Sequence, residues 1–126
     1  MHNDIKLENL VVGHSDPDRL YLIDFGLASH YLKPDGTHIE KERLGKFSGN
    51  FMYASLNSCR GNNKSRRDDI ESAMYLLAYI LNGCKLPWSN LDVRLNYGST
   101  FNDLLVERLV KSYTMAVLKM VPAALL

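Results

Sequence analysis

Four polar side chains early in the sequence have the types and spacing that chemistry on a phosphate group requires. They are Asp4, Lys6, Asn9 and Asp24. A positioned carboxylate can take a proton from a hydroxyl group, and a lysine can offset the negative charge of a transferring group. Amide and carboxylate oxygens are hard ligands that suit magnesium. The set is therefore compatible with phosphoryl transfer, in which positioning and charge neutralisation provide most of the catalysis.

Each of these residues has an ordinary explanation when it is taken alone. An aspartate two residues before a lysine is usually part of a solvated surface pair, and Asp24-Phe25-Gly26 occurs by chance in many proteins. The order and spacing favour another interpretation, because His2-Asn3-Asp4-Ile5-Lys6-Leu7-Glu8-Asn9 precedes two β-rich runs and then this tripeptide. The arrangement resembles the catalytic loop and Asp-Phe-Gly segment of protein kinases. An unrelated phosphate or metal site built on Asp4 and Asp24 stays open as an alternative.

The kinase resemblance implies a role for each residue of the set. Asp4 and Lys6 would be catalytic, with Asp4 orienting the substrate hydroxyl and Lys6 neutralising phosphoryl charge. Asn9 and Asp24 would bind Mg2+, and Asn9 with the tripeptide Asp24-Phe25-Gly26 would form part of the ATP site. Phe25 would pack beneath Asp24, and Gly26 would give the backbone freedom to aim it. The resemblance implies protein substrates that carry Ser or Thr hydroxyls, and a structural role for His2.

A hairpin and a long loop are predicted to position these residues. The runs Leu10-Val11-Val12 and 20–23 are β-rich and enclose a turn-rich spacer, which predicts two antiparallel strands between Asn9 and Asp24. Residues 24–63 are irregular, and Pro34-Asp35-Gly36 marks a turn within them. This stretch predicts one long ordered loop, and loops of such length are usually functional.

Two helices are predicted after the loop. Residues 69–82 are apolar around most of the helix circumference, with Ser65 or Asp68 available as a cap and Gly83 placed to end the helix. A helix that is apolar nearly all round is expected in a core with neighbours on several sides. A second helix is predicted over 100–113, where apolar residues repeat at helical spacing.

Three further segments narrow the resemblance to the casein kinase I family. They are Leu22-Ile23-Asp24-Phe25-Gly26-Leu27-Ala28, Tyr53-Ala54-Ser55-Leu56-Asn57 and Ser65-Arg66-Arg67-Asp68-Asp69-Ile70-Glu71-Ser72. The family has a Ser-Ile-Asn type of sequence where most protein kinases have Ala-Pro-Glu, and Ser55-Leu56-Asn57 is similar to it. The resemblance extends from about His2 to Trp88 and implies that Asp69 bonds the catalytic-loop backbone. A plain carboxylate near a helix N-terminus would also explain Asp69, and both readings can hold together.

Two residues near the predicted catalytic aspartate depart from the kinase pattern. Asn3 stands where most protein kinases have Arg, so no charge-assisted clamp on a phosphorylated activation loop is expected. Asn50 replaces a Thr that usually bonds the catalytic aspartate. An amide can also donate to Asp4, so this exchange is compatible with catalysis.

Other departures concern the family's binding of an anion near the substrate. Met52 stands where casein kinase I has an Arg, and Gly45 stands where a further Lys would help, although Lys46 is adjacent. Asp92 and Asn96 occupy a stretch where a basic residue is expected. We therefore expect a weakened preference for substrates that are already phosphorylated.

These elements together predict a mainly α (α+β) fold. Residues 1–126 would be a partial protein kinase domain, from the catalytic loop through the helices of the C-terminal lobe, with a short β-hairpin and a long activation loop. The ATP-gripping N-terminal lobe is expected to be absent, so this stretch alone is expected to fold poorly and to be inactive. The alternative is a pseudokinase-type binding module without catalysis, because a fold can persist when its chemistry is lost.

Composition limits the partners and the compartment. The 126 residues are 46% hydrophobic and 23% charged, as in soluble globular proteins, and the net charge of +1 gives no general attraction to nucleic acid or to an anionic membrane. No apolar run approaches the length of about 20 residues that a membrane span needs. Cys59 and Cys84 are too few for a disulfide framework, so we expect free thiols in the cytoplasm, the nucleus or both.

Overall fold

The computed structural model of the chain describes residues 1–86, 88 and 89. The helix predicted over 100–113 and the residues Asp92 and Asn96 lie outside this described part. No helix within it is both long enough and apolar enough to cross a membrane.

A β-hairpin follows the predicted catalytic loop, as the sequence indicated. Strand β1 spans Leu10–Val12 and strand β2 spans Leu20–Leu22. They pair antiparallel, with Leu10 opposite Leu22. The N–H of Ile23 donates to the carbonyl of Asn9 at 2.9 Å and continues the pairing beyond β2. Asp24 therefore follows directly from a residue that is bonded to Asn9, which places two predicted ligands at the same end of the hairpin.

The stretch from 24 to 63 contains more regular structure than the sequence predicted. The turn at Pro34-Asp35-Gly36 is present, with Gly36 in the left-handed region at φ 81°. However, a 3-10 helix covers Phe51–Tyr53 and helix α1 covers Leu56–Cys59, so the prediction of one continuous loop was wrong in its last part. Local side-chain caps explain these short elements, because Ser55 Oγ accepts the N–H of Ser58 at 3.0 Å.

Helix α2 spans Arg66–Leu81 and is the longest element of the described residues. It begins three residues before the predicted start, with Ser65 as its N-cap residue. The N–H of Ser65 donates to Asp68 Oδ2 at 2.6 Å, and the same carboxylate accepts from the hydroxyl of Ser55, so Asp68 joins the start of α2 to the start of α1. Gly83, at φ 64°, follows the helix as predicted.

The prediction that α2 is buried on most sides was wrong. Its buried apolar side chain is Leu76, which packs in a core cluster with Tyr53, Leu86 and Trp88. The other faces carry exposed apolar side chains: Ile70, Met74, Leu77, Ile80 and Leu81. The reason is that α2 contacts the Phe51–Tyr53 turn and the segment around Trp88 on one side.

Two α-helices and one two-stranded antiparallel sheet therefore make up the regular structure of the described residues, apart from short 3-10 turns. This mainly α arrangement with a small β-hairpin agrees with the predicted α+β class and is compatible with part of a protein kinase domain.

Candidate functional site

Asp4 is the centre of the candidate site. It is 6% exposed, and a buried carboxylate needs compensating partners. Lys6 Nζ lies 2.6 Å from Asp4 Oδ2, and Asn9 Nδ2 donates to the same oxygen at 3.2 Å. Asn9 Nδ2 also donates to the Asp4 backbone carbonyl at 2.8 Å. Three of the four residues singled out from the sequence are thus in direct contact.

Lys6 is held as a cation at this site. The hydrogen bond to Asp4 is the main cause that raises the pKa of the Lys6 amine, and burial opposes it. The charges of Asp4, Glu8 and Asp24 raise this pKa further. The Lys6 side chain is 24% exposed, so its charge reaches the surface while its partner stays buried. A fixed positive charge at the mouth of a buried carboxylate suits an anionic substrate group.

Asn9 ends the short 3-10 helix Leu7–Asn9 and is buried. Its amide nitrogen donates both of its hydrogen bonds to Asp4, which leaves Oδ1 as the atom that can ligate a cation. The backbone carbonyl of Asn9 receives the bond from Ile23. This pairing holds Asn9 beside the strand that leads to Asp24.

Asp24 adopts a left-handed backbone at φ 61°, and its side chain is exposed. Aspartate is among the few residues other than glycine that tolerate this conformation. Asp24 Oδ1 accepts the N–H of Gly26 at 3.1 Å. A Cβ on Gly26 would stand 3.1 Å from the same oxygen, so a side chain there would crowd the carboxylate. From the sequence, Gly26 was predicted to supply the backbone freedom that aims Asp24. In the structure the left-handed residue is Asp24 itself, and Gly26 allows its own backbone to approach the Asp24 carboxylate closely.

Phe25 does not occupy a buried position beneath Asp24. It is 64% exposed, and its ring meets the edge of the His2 ring with centroids 5.0 Å apart. His2 has the structural role that was predicted. Its Nδ1 lies 3.3 Å from the N–H of Asp4, which makes Nδ1 the acceptor and Nε2 the donor to the Ile23 carbonyl at 3.0 Å. The ring therefore connects the catalytic loop to the residue before Asp24.

Asp69 holds the loop from below, as the family resemblance implied. The N–H of His2 donates to Asp69 Oδ2 at 2.7 Å, and the N–H of Asn3 donates to Oδ1 at 2.8 Å. Asn3 has φ 69°, so the loop makes a left-handed step directly before Asp4. Both bonds are charge-assisted, and they fix the backbone on the side of Asp4 that leads into this step.

Asn3 also contacts the segment that follows the Asp24-Phe25-Gly26 tripeptide. Its Nδ2 donates to the Leu27 carbonyl and to Ser29 Oγ, both at 2.8 Å. A neutral amide therefore joins the predicted catalytic loop to this segment, at the position where most protein kinases have Arg.

Asn50 and Met52 have local structural contacts. The Asn50 side chain accepts the Met52 N–H at 2.8 Å, and this capping bond, not a bond to Asp4, is its hydrogen bond among the described residues. The Met52 carbonyl accepts from Trp88 Nε1 at 2.8 Å. Met52 Sδ lies 3.5 Å from Ser89 Oγ, so the methionine side chain packs against the segment at 88–89.

Lys64 is a residue of this site that no sequence motif indicated. Its Nζ donates to the Asn3 carbonyl at 2.8 Å and to the Ser48 carbonyl at 2.7 Å. Burial lowers the pKa of its amine, while the carboxylates of Asp69 and Asp4 act in the opposite direction. Lys64 follows Asn62 and Asn63 and precedes the N-cap residue Ser65. This local sequence matches no motif that would predict contacts with such distant residues.

The described residues contain no group of three or more His, Cys, Asp and Glu side chains able to hold a metal ion by themselves. Asn9 Oδ1 and the Asp24 carboxylate are nevertheless hard oxygen donors at the same end of the hairpin. Magnesium commonly takes one or two protein groups and completes its shell with phosphate oxygens and water. This donor set fits a magnesium ion that arrives with a nucleotide.

The sequence of the chain is similar to the sequences of several casein kinase I homologues. The chain is 47% identical over 88 residues to a probable casein kinase I homolog of Encephalitozoon cuniculi, covering 70% of the chain and 27% of that protein. It is 41% identical over 93 residues to a casein kinase 1-like protein of Oryza sativa, covering 70% of the chain and 13% of that protein. It is 35% identical over 100 residues to casein kinase I homolog 2 of Schizosaccharomyces pombe, covering 76% of the chain and 23% of that protein.

The chain thus spans about a quarter or less of the length of these relatives. No protein-family model matches it. The identities extend over most of the chain, which confirms the family resemblance that the three sequence segments indicated.

Proposed function

We propose that this casein kinase I-like chain provides the catalytic loop and the metal-binding segment for transfer of the terminal phosphoryl group of ATP to Ser or Thr hydroxyls of proteins. The proposal rests on one observation above all, the buried Asp4 carboxylate with Lys6 Nζ at 2.6 Å and Asn9 Nδ2 at 3.2 Å on the same oxygen. It is supported by the casein kinase I names of relatives that match the chain.

Asp4 is the group that would orient the acceptor hydroxyl and take its proton. Its Oδ2 is occupied by Lys6 and Asn9. We assign Oδ1 to the hydroxyl, because the bonds to Oδ2 fix the carboxylate plane. A positioned carboxylate of this kind contributes about 10²–10⁴-fold to a proton transfer. Lys6 would remain a cation and balance negative charge on the transferring group.

Asn9 and Asp24 are the residues that would hold magnesium. The amide of Asn9 is oriented by its two bonds to Asp4, and Asp24 is aimed by its left-handed backbone and by the Gly26 N–H. When bound, Mg2+ would neutralise charge on the phosphates of ATP. The protein residues around it hold their orientation through hydrogen bonds within the hairpin end.

The test is phosphoryl transfer from labelled ATP to a serine peptide by the protein as its gene encodes it. We expect Asp4→Asn to lower kcat by about 10²–10⁴-fold while the peptide and ATP still bind, because the amide cannot accept the proton. Asp18→Asn is the matched control, since Asp18 is an exposed aspartate of the hairpin connection. Equal rates for wild type and Asp4→Asn would contradict the proposal.

A non-catalytic binding module is the second candidate function. The observation that favours it is the Asn50 side chain, which caps the Met52 N–H instead of contacting Asp4. The same experiment separates the two functions, because a binding module would show no transfer above background in wild type. Nucleotide binding without transfer would support this second function.

We also propose that the protein works in a reducing compartment, the cytoplasm or the nucleus. Cys59 is buried and Cys84 is exposed, and both are free thiols. Cell fractionation with an antibody to the protein tests this assignment.

A further inference from the structure

Lys64 joins three segments that are far apart in the sequence. It lies directly before the cap of α2, and its ammonium group bonds the carbonyl of Asn3 in the catalytic loop and that of Ser48 before the Phe51–Tyr53 turn. The partners are 61 and 16 residues away along the chain. Two of the three N–H donors of the ammonium are therefore used on backbone acceptors.

The bond to Asn3 acts on the peptide that leads into Asp4. The N–H of Asn3 is held by Asp69 Oδ1 at 2.8 Å, and its carbonyl is held by Lys64 Nζ at 2.8 Å. Asn3 thus has both backbone polar groups bonded while it keeps its left-handed conformation. Rotation of the Asn3–Asp4 peptide would turn the backbone from which the Asp4 side chain extends.

The bond to Ser48 brings a second segment to the same place. Gly49 has φ 102°, and a Cβ there would stand 2.8 Å from the Asn3 carbonyl oxygen and 3.0 Å from Lys64 Nζ. It would also be 3.7 Å from Asp4 Oδ1, the oxygen assigned to the acceptor hydroxyl. The Ser48–Gly49 backbone therefore lies against the catalytic loop and beside Asp4, and the lysine holds the two together.

We propose that Lys64 is a positioning residue, whose ammonium fixes the Asn3–Asp4 peptide against the Ser48–Gly49 backbone and so aims Asp4 at the acceptor hydroxyl. This inference rests on the proposed phosphoryl transfer. The environment is consistent with such a role, since burial lowers the pKa of the Lys64 amine while the carboxylates of Asp69 and Asp4 act to raise it and favour the charged form. Both bonds end on main-chain oxygens, so the contact depends on the lysine and on the backbone path, not on the identity of a partner side chain.

Kinetics on the protein as its gene encodes it test the proposal. We expect Lys64→Met, which keeps much of the side-chain length and removes the donors, to lower kcat by about 10–100-fold, because small misplacements of a catalytic group have effects of this order. The KM values for ATP and peptide should stay within about twofold, since no substrate contact is removed. Lys64→Arg keeps the donors and should recover most of the kcat. Lys41→Met, at an exposed lysine, is the control.

A spectroscopic measurement separates this inference from the proposed function. In Lys64→Met the carbonyl ¹³C resonances of Asn3 and Ser48 should both move upfield, and in Lys41→Met neither should move. If wild type transfers no phosphate, the proposed function fails, and these resonances still decide whether Lys64 holds both carbonyls. Unmoved resonances, an unchanged kcat in Lys64→Met, or an arginine variant no better than methionine would each overturn the positioning role.

Discussion

The Lys6 ammonium lies 2.6 Å from the buried carboxylate of Asp4, two residues before it in the chain. Lys6 has an extended backbone, with φ −157° and ψ 165°, and along an extended stretch alternate side chains turn to the same side. Asn9 reaches the same carboxylate oxygen from the following 3-10 turn. The contact between Asp4 and Lys6 therefore follows from local backbone geometry and requires no distant part of the chain.

Removal of the Lys6 charge should lower phosphoryl transfer. We expect Lys6→Met to reduce kcat by about 10²–10³-fold, the usual effect of losing one group that stabilises developing negative charge. Steady-state kinetics with ATP and a serine peptide measure this effect. Lys33→Met, at an exposed lysine of the 24–63 stretch, serves as the control. A loss of less than about threefold in Lys6→Met would contradict the role of this charge.

Asp69 should stabilise the catalytic loop as well as α2. Asp69→Ala removes two charge-assisted bonds, to the N–H groups of His2 and Asn3, and each such bond contributes about 1.5–3 kcal/mol. We expect the free energy of unfolding to fall by about 3–6 kcal/mol, the sum for two such bonds, measured by denaturant titration. Hydrogen exchange at the amides of His2 and Asn3 should accelerate in the variant. Exchange at these amides that matches wild type would show that the bonds do not form in solution.

The two cysteines should differ sharply in reactivity. Burial raises the pKa of the Cys59 thiol to about 12, from an ordinary value of 9.0, while Cys84 is exposed. A thiol reagent at pH 8 should therefore label Cys84 quickly and Cys59 after unfolding, because the thiolate is the reactive form. Mass spectrometry of the labelled protein locates the sites, and Cys84→Ala should remove the rapid phase.

The same shift has a consequence for stability. The pKa of Cys59 is higher in the folded chain than in the unfolded chain, so its contribution to folding is complete below about pH 9 and is lost as the pH rises toward 12. Cys59→Ala should lose less stability than wild type over this pH range. Identical alkaline unfolding curves would contradict the assignment.

Local patterns predicted the parts of the fold and site that depend on nearby residues. The hairpin between Asn9 and Asp24 could be read from two β-rich runs, and Ser65 was one of two candidate caps for α2. Asp4 and Lys6 were both predicted as catalytic residues of one extended stretch, but the bond between their side chains was not predicted. These features require no knowledge of how distant segments meet.

Features that depend on tertiary contact were missed or misjudged. The bonds of Lys64 join residues 61 and 16 positions away, and no local pattern reports such distances. The burial of α2 was overestimated because apolar residues around a helix reveal a capacity for packing and not the neighbours that are present. The bonds of Asp69 to the backbone of His2 and Asn3 were predicted through the family resemblance alone. The position of Asp69 in the sequence indicates only an ordinary carboxylate near a helix N-terminus.

In the proposed phosphoryl transfer, Met52 should limit the preference of the protein for phosphorylated substrates. A methionine side chain carries no charge, and here its sulfur lies beside Ser89 Oγ while its carbonyl accepts from Trp88. We expect wild type to turn over a serine peptide and its phosphorylated counterpart with kcat/KM values within about threefold of each other, because no charge-assisted bond to the added phosphate is available at Met52. A ratio of kcat/KM values measured at one salt concentration decides this.

Introduction of a positive charge should change that ratio. Met52→Arg is expected to raise kcat/KM for the phosphorylated peptide by about tenfold, which corresponds to about 1.4 kcal/mol for one new charge-assisted contact. The value for the unphosphorylated peptide should change little, and Met52→Leu, which keeps the apolar packing, should leave the ratio as in wild type. The gain with arginine should shrink as salt is raised, because ions screen an exposed charge pair. A strong preference for the phosphorylated peptide in wild type would show that other residues bind the phosphate and that Met52 does not limit it.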